Sequence, residues 1–137
     1  MSKEALKDAL KQIMAQARGG DVEGSYDGYK ALFSDPIFAA NKPEDQRQVL
    51  KLLVLAKRTG QPSAKLVDAH RAAIPALTEL VSTHNDPEDY ELLGVCHLIV
   101  GNEEAASNMF RQGLALERER NAQSDLCGRL MTRVSQI

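Results

Sequence analysis

Asp86-Pro87-Glu88-Asp89-Tyr90-Glu91-Leu92-Leu93-Gly94-Val95-Cys96-His97-Leu98-Ile99-Val100-Gly101 is the stretch that decides how this chain folds. Pro87 suits the first position of a helix, where its missing N–H would have no intrahelical partner anyway. Glu88 and Asp89 follow and complement the positive end of the helix dipole. Leu92, Leu93, Val95, Cys96, Leu98, Ile99 and Val100 make the segment apolar on more than one side. Gly101 stops it, because glycine tolerates the positive φ that ends a helix. A second helix starts from Asn102 and carries Ala105, Ala106, Met109, Phe110, Leu114 and Leu116. Two helices joined at a glycine read as a hairpin.

Working outward, the same punctuation recurs. Asn41-Lys42-Pro43-Glu44-Asp45 echoes Asn85-Asp86-Pro87-Glu88-Asp89 and starts a helix that holds Val49, Leu50 and Leu52 to Ala56, with Gly60 as its end. Another begins near Pro62-Ser63 and runs through Leu66, Ala69, Ala73 and Ile74 to about His84. Pro75 inside it implies a kinked continuation or a short separate helix. Upstream, residues 2 to 18 place Leu6, Leu10, Ile13, Met14 and Ala17 at helical spacing, and Gly19-Gly20 ends that run. Asp21 caps the next helix, which reaches Ser34 with Tyr26, Tyr29, Leu32 and Phe33 inward. After Asn121 a last amphipathic helix steps through Ala122, Leu126, Leu130 and Val134. The expectation is an all-α fold of about seven helices.

Composition agrees. The chain has 137 residues, 43% of them hydrophobic, which is enough for one domain with a sizeable core. Ala and Leu number 17 each against 17 for Val, Ile and Thr together, an excess of helix formers over β-branched residues. Lys and Arg number 17 and Asp and Glu 19, a net charge of -2, which argues against a nucleic-acid binder. No stretch reaches the ~20 apolar residues that span a bilayer, so no membrane role is expected. The N-terminal residues mix charge with apolar side chains and show no export signal, which places the protein in the cytoplasm. Cys96 and Cys127 are then expected to be buried free thiols.

Tyr90-x2-Leu93-Gly94-x2-His97, then Gly101, then Ala106-x3-Phe110, resembles the tetratricopeptide repeat. Small Gly94 and Ala106 would let paired helices approach closely, while Tyr90 and Phe110 would fill the spaces between neighbours. Departures are His97 in an aromatic position, Gly113 in place of the common Ala, and no Pro after the second helix. Gly20, Ser25, Tyr29 and Pro36 match a first repeat loosely. Leu52-Leu53, Gly60 and Ala69 match a second, with Lys65 at a place for a small residue and residues 76–84 as an insertion. The resemblance implies a single domain of stacked antiparallel helical hairpins, a TPR-like α-solenoid. Its repeats would cover residues 5–40, 43–84 and 87–120, with a capping helix over 121–137. It also implies that Leu126, Leu130 and Val134 are buried while Arg129 and Arg133 point outward.

The resemblance further implies a non-catalytic protein–protein interaction module, an adaptor or small cytoplasmic chaperone that binds a peptide or amphipathic helix on its concave face. The first helix of each hairpin would line that face. The groove would comprise Leu10, Met14 and Arg18, then Arg47, Leu50, Val54, Lys57 and Arg58, then Glu91, Val95 and Leu98. Apolar stripes are also how helices pack, so a C-terminal helix covering these residues is the alternative. The family's carboxylate clamp is missing: its places hold Leu10, Met14, Lys51, Glu88 and Leu92. Small three-repeat members also serve bacterial secretion systems as chaperones, but no residue here is diagnostic of that. A self-assembling subunit would use the same groove, with a homo-oligomer as the partner. The rival reading is a small helical enzyme or ligand sensor with its site near His84, Asp86, Glu88 and Asp89. Helix capping and charge at a helix N-terminus account for those acids better than a site does. No metal or cofactor motif and no nucleophile with a base are present, so neither is expected.

Overall fold

The structure is a computed structural model that describes residues 2–137. Among these residues it is all-helical, with seven α-helices and no strand. In chain order they are α1 (Lys3–Arg18), α2 (Val22–Ser34), α3 (Pro43–Val54), α4 (Ala64–His84), α5 (Pro87–Ile99), α6 (Glu103–Asn121) and α7 (Asp125–Ser135). The chain forms two compact units, one up to Ala76 and the other Leu77–Ile137, so the division falls inside α4 beside Pro75.

In the first unit α1 packs against α2. Ser2 caps α1 through a bond from the Ala5 N–H, and Asp21 caps α2 through one from Gly24. Leu6 and Ile13 of α1 and Tyr29, Leu32 and Phe33 of α2 are buried. Met14, expected on the inner face, is exposed. A 3-10 turn over Pro36–Ala40 follows, which the sequence reading did not anticipate. Asp35 caps it, and Phe38 inserts edge-on against Phe33 with ring centroids 5.2 Å apart.

α3 ends at Val54, one and a half turns short of the expected stop at Gly60. Arg58 explains the early end. Its guanidinium donates to the Leu53 carbonyl at 2.5 Å and to the Ala56 carbonyl at 3.3 Å, supplying donors that another helical turn would have supplied. It also lies 5.8 Å from the centre of the Tyr26 ring. Residues 55–63 are therefore irregular, and α4 begins after Ser63, whose hydroxyl accepts from the Leu66 N–H. α4 is continuous through Pro75, which resolves the expected kink or break in favour of one helix.

In the second unit α5 and α6 form the closest pair, and α7 packs against α6. Gly94 faces the Phe110 side chain so closely that a Cβ there would fall inside the ring's contact shell. Ala106 and Phe110 are fully buried. Gly113, the departure noted in the sequence, has its own reason: a Cβ would come within 2.9 Å of the Tyr90 Cβ and 3.3 Å of the Pro87 carbonyl oxygen. The corner between α6 and α7 is tightly specified. Ser124 donates its hydroxyl to the buried Glu117 at 2.7 Å and accepts from the Cys127 N–H at 3.0 Å.

Candidate functional site

The eleven groove residues separate into different environments. Met14, Arg18, Lys57 and Leu98 are exposed, and Leu10, Arg47 and Arg58 are half-buried. Leu50, Val54, Glu91 and Val95 are buried. This corrects the expectation that Leu50, Val54 and Val95 line an open groove. They are core residues, because a stripe wide enough to look like a groove is wide enough to be covered. Arg58, also expected in the groove, is committed to the end of α3.

Glu91 departs furthest from expectation. It is expected to line the groove, yet it is fully buried beneath α7. Arg129 donates to it through Nε at 3.1 Å and through a terminal nitrogen at 3.2 Å, one bond to each carboxylate oxygen. Arg133 adds a third bond through Nε at 2.8 Å. Arg129 is exposed as expected even while it bonds Glu91, whereas Arg133 is half-buried. Leu130 is fully buried as expected, whereas Leu126 and Val134 are half-buried. The hydrogen-bonded carboxylate raises the Arg129 guanidinium above its ordinary value. A buried carboxylate is costly unless cations and hydrogen bonds meet it, and three donors from one helix face meet this one.

Around this cluster the surface is hollowed twice. An open depression of about 410 Å³ lies along Gly128, Arg129, Thr132, Arg133 and Gln136. A more enclosed cleft of about 70 Å³ is lined by Leu98, Glu103, Phe110, Arg133, Gln136 and Ile137. Leu98 is 39% exposed and Ile137 44%, so the cleft has apolar walls open to solvent. The Arg133 guanidinium sits 5.7 Å from the centre of the Phe110 ring and forms part of the floor between the two hollows.

No family model, no curated protein and no solved structure matches this chain.

The other candidate groups have structural work. Asp86 accepts from the Glu88 N–H at 3.0 Å and caps α5. Asn85 holds a positive φ of 52° and accepts from the Tyr90 hydroxyl at 2.7 Å. His84 is exposed beside them. Among the described residues no group of three or more His, Cys, Asp or Glu is arranged to hold a metal ion. Cys96 and Cys127 are buried and unbonded to each other. Burial pushes the Cys96 thiol up to about 12, which keeps it protonated and unreactive at neutral pH. Burial also lowers the basicity of His97, whose Nδ1 is buried without a partner. No helix among the described residues is long and apolar enough to cross a membrane.

Sequence reasoning missed the Glu91 cluster. The signal available was weak: Arg129 and Arg133 lie one turn apart on α7, and Glu91 sits within an apolar run. Nothing local says that the three meet across a separation of 38 and 42 residues.

Proposed function

We propose that this chain is a non-catalytic protein-interaction module, an adaptor or small chaperone of tetratricopeptide type, that works in the cytoplasm. It holds a peptide by one apolar side chain. The observation that carries this is the cleft formed by Leu98, Phe110, Arg133, Gln136 and Ile137. At about 70 Å³ it is well below the ~300 Å³ at which small-molecule pockets begin, and it fits a single side chain. Its polar groups, Glu103, Arg133 and Gln136, surround apolar walls, the arrangement that receives an anchor and orients the backbone beside it. The close α5–α6 pairing at Gly94, Ala106 and Phe110 supports the repeat reading. The two unbonded thiols support a reducing compartment.

The test is selection of binders from a random peptide library, followed by amide chemical-shift mapping on the labelled chain. Shifts centred on Leu98, Gln136 and Ile137, and loss of binding in folded Leu98→Asp, are expected. A footprint elsewhere, or undiminished binding by that variant, would overturn the assignment of the cleft. Concentration-dependent self-association that buries Leu98 would replace the peptide with a second copy of the chain.

A further inference from the structure

Glu91 is sealed beneath α7, and three hydrogen bonds reach it from the two arginines of that helix. A buried carboxylate met in this way adds little net stability, because its desolvation offsets the attraction of its partners. What the bonds fix is geometry. Arg133 donates its Nε to Glu91 at 2.8 Å, and the same guanidinium stands 5.7 Å from the centre of the Phe110 ring. A carboxylate and a ring together hold this side chain in one place, where a surface arginine would swing freely.

Arg133 and Gln136 line both the cleft and the open depression beside it. The Nε of Arg133 is committed to Glu91, and its two terminal nitrogens have no acceptor among the described residues. The side chain is 28% exposed, so those nitrogens are open to a ligand. Two guanidiniums share the one charge of Glu91, and it is Arg129 that Glu88 and Asp125 also support. The surplus positive charge therefore falls at Arg133. Glu103, the other charged group of the cleft, is exposed in the first turn of α6 and makes no ion pair with Arg133. A guanidinium held still, with its terminal N–H groups free, suits a carboxylate, which takes two parallel bonds from it.

We propose that Arg133 contacts the ligand of the cleft, that Glu91 is its positioning residue, and that the partner is a peptide segment with an acidic side chain next to its apolar anchor. This rests on the reading of the cleft as a peptide site. The anchor fills the space between Leu98, Phe110 and Ile137, and the carboxylate meets the terminal nitrogens of Arg133. Glu103 repels the acid from the α6 side, which leaves the α7 side. The depression runs on along Thr132 to Gly128, where even a Cβ would meet nothing within 4 Å. The backbone has room to continue there, so the acid belongs to a residue inside the segment and not to a chain end.

The probes are acetylated, amidated peptides of glycine and serine with one leucine, flanked on both sides by glutamate in one peptide and by glutamine in the other. Each is titrated into the isotope-labelled full chain, and the amide shifts of Leu98, Gln136 and Ile137 report occupancy. The glutamate peptide is expected to bind roughly tenfold more tightly than the glutamine peptide at low salt, with the ratio shrinking as salt is added. Replacing its leucine by alanine is expected to abolish binding. In Arg133→Gln the two peptides are expected to bind alike. Glu91→Gln separates positioning from charge. It removes a negative charge, so electrostatics alone would strengthen the glutamate peptide; loss of the hold on the guanidinium is expected instead to cut the ratio to roughly threefold or less. Arg133→Lys keeps the charge and lacks the planar fork, so it is expected to lose the ratio similarly, and it serves if Glu91→Gln does not fold.

Shifts at the cleft with equal affinities for the two peptides would overturn the acidic partner and leave the peptide site standing. An unchanged or larger ratio in Glu91→Gln or in Arg133→Lys would overturn the positioning role. Tighter binding of a peptide that ends at the leucine with a free carboxylate would overturn the choice of an internal acid. No shift at the cleft with any peptide at millimolar concentration would overturn the reading of the cleft itself, and this proposal with it.

Discussion

Asn41-Lys42-Pro43-Glu44-Asp45 and Asn85-Asp86-Pro87-Glu88-Asp89 differ at one position and start α3 and α5 by different means. At α5, Asp86 accepts from the Glu88 N–H and Asn85 ends the preceding helix in a left-handed conformation. At α3, Lys42 makes no side-chain cap. Asn41 instead closes the 3-10 turn before it, donating its side chain to the Phe38 carbonyl at 3.1 Å. Gln46 then reaches back to the Ala39 and Asn41 carbonyls at 3.2 and 2.8 Å. One start is held by a cap and the other by a side chain from inside the helix. The pairs they begin also differ. α5 and α6 meet closely at Gly94 and Gly113, while α3 leads into nine irregular residues held by Arg58. A repeated sequence signal secures a repeated helix start, but the packing that follows depends on the residues that meet it.

The largest expected effect asks whether α3, despite its looser ends, is as fully core as α5. Leu50→Asp should cost about 4 kcal/mol or more and unfold the chain, because it buries an unpaired charge. Leu98→Asp at the exposed end of α5 should stay within ~0.5 kcal/mol. Urea denaturation followed by circular dichroism reads both. A folded, stable Leu50→Asp would return that residue to an exposed groove.

His70 of α4 gives the next effect. It is fully buried, its Nδ1 donates to the Leu66 carbonyl at 2.9 Å, and its Nε2 has no partner. Burial drives its pKa down to about 4 from the ordinary 6.5. Between those values the unfolded chain binds a proton that the folded chain refuses, so stability falls as pH drops from about 6.5 to about 4 and levels off below. The loss should be roughly 3 kcal/mol at ~1.4 kcal/mol per unit. Melting curves of the wild type and His70→Gln across this range should diverge by that amount. Parallel curves would show that His70 is protonated in the fold.

Gly94→Leu should cost about 1–3 kcal/mol by overpacking against Phe110, and Gly113→Ala should also destabilise through Tyr90 and Pro87. An unchanged denaturation midpoint for both would remove the close approach that distinguishes α5–α6. The smallest effect concerns the two starts themselves. Asp86→Ala should cost about 1 kcal/mol and Lys42→Ala less than ~0.5, while Lys42→Asp should stabilise by about 0.5–1 kcal/mol by supplying the missing cap. Equal losses for the two alanine variants would erase the distinction.

The helices were legible because their signals are local. Pro43 and Pro87 each took the first helical position, Asp21 and Asn102 start α2 and α6 as their chemistry allows, and α7 carries Leu126, Leu130 and Val134 as the periodicity has them, though it starts at Asp125 and leaves Ala122 in the corner. The early end of α3 was not legible, because Arg58 reaches back to carbonyls that a sequence window treats as satisfied. Phe38 was missed because a 3-10 turn is too short to show a period. Of the proposed groove only Leu98 lies in the cleft now assigned, and its neighbours Gln136 and Ile137 carried no motif.

By itself the sequence determined an all-helical chain and most of its helix boundaries. Capping and φ preferences act over three or four residues, and the positions 3.6 apart that form a face lie close in the chain. Only the tertiary structure decided which faces are covered. Leu50 and Leu98 look alike in a periodic pattern, yet one is sealed and the other is open. Glu91 looks like a surface acid until Arg129 and Arg133 close over it. Burial and ion pairing depend on every neighbour in space, and those neighbours come from residues about forty positions away.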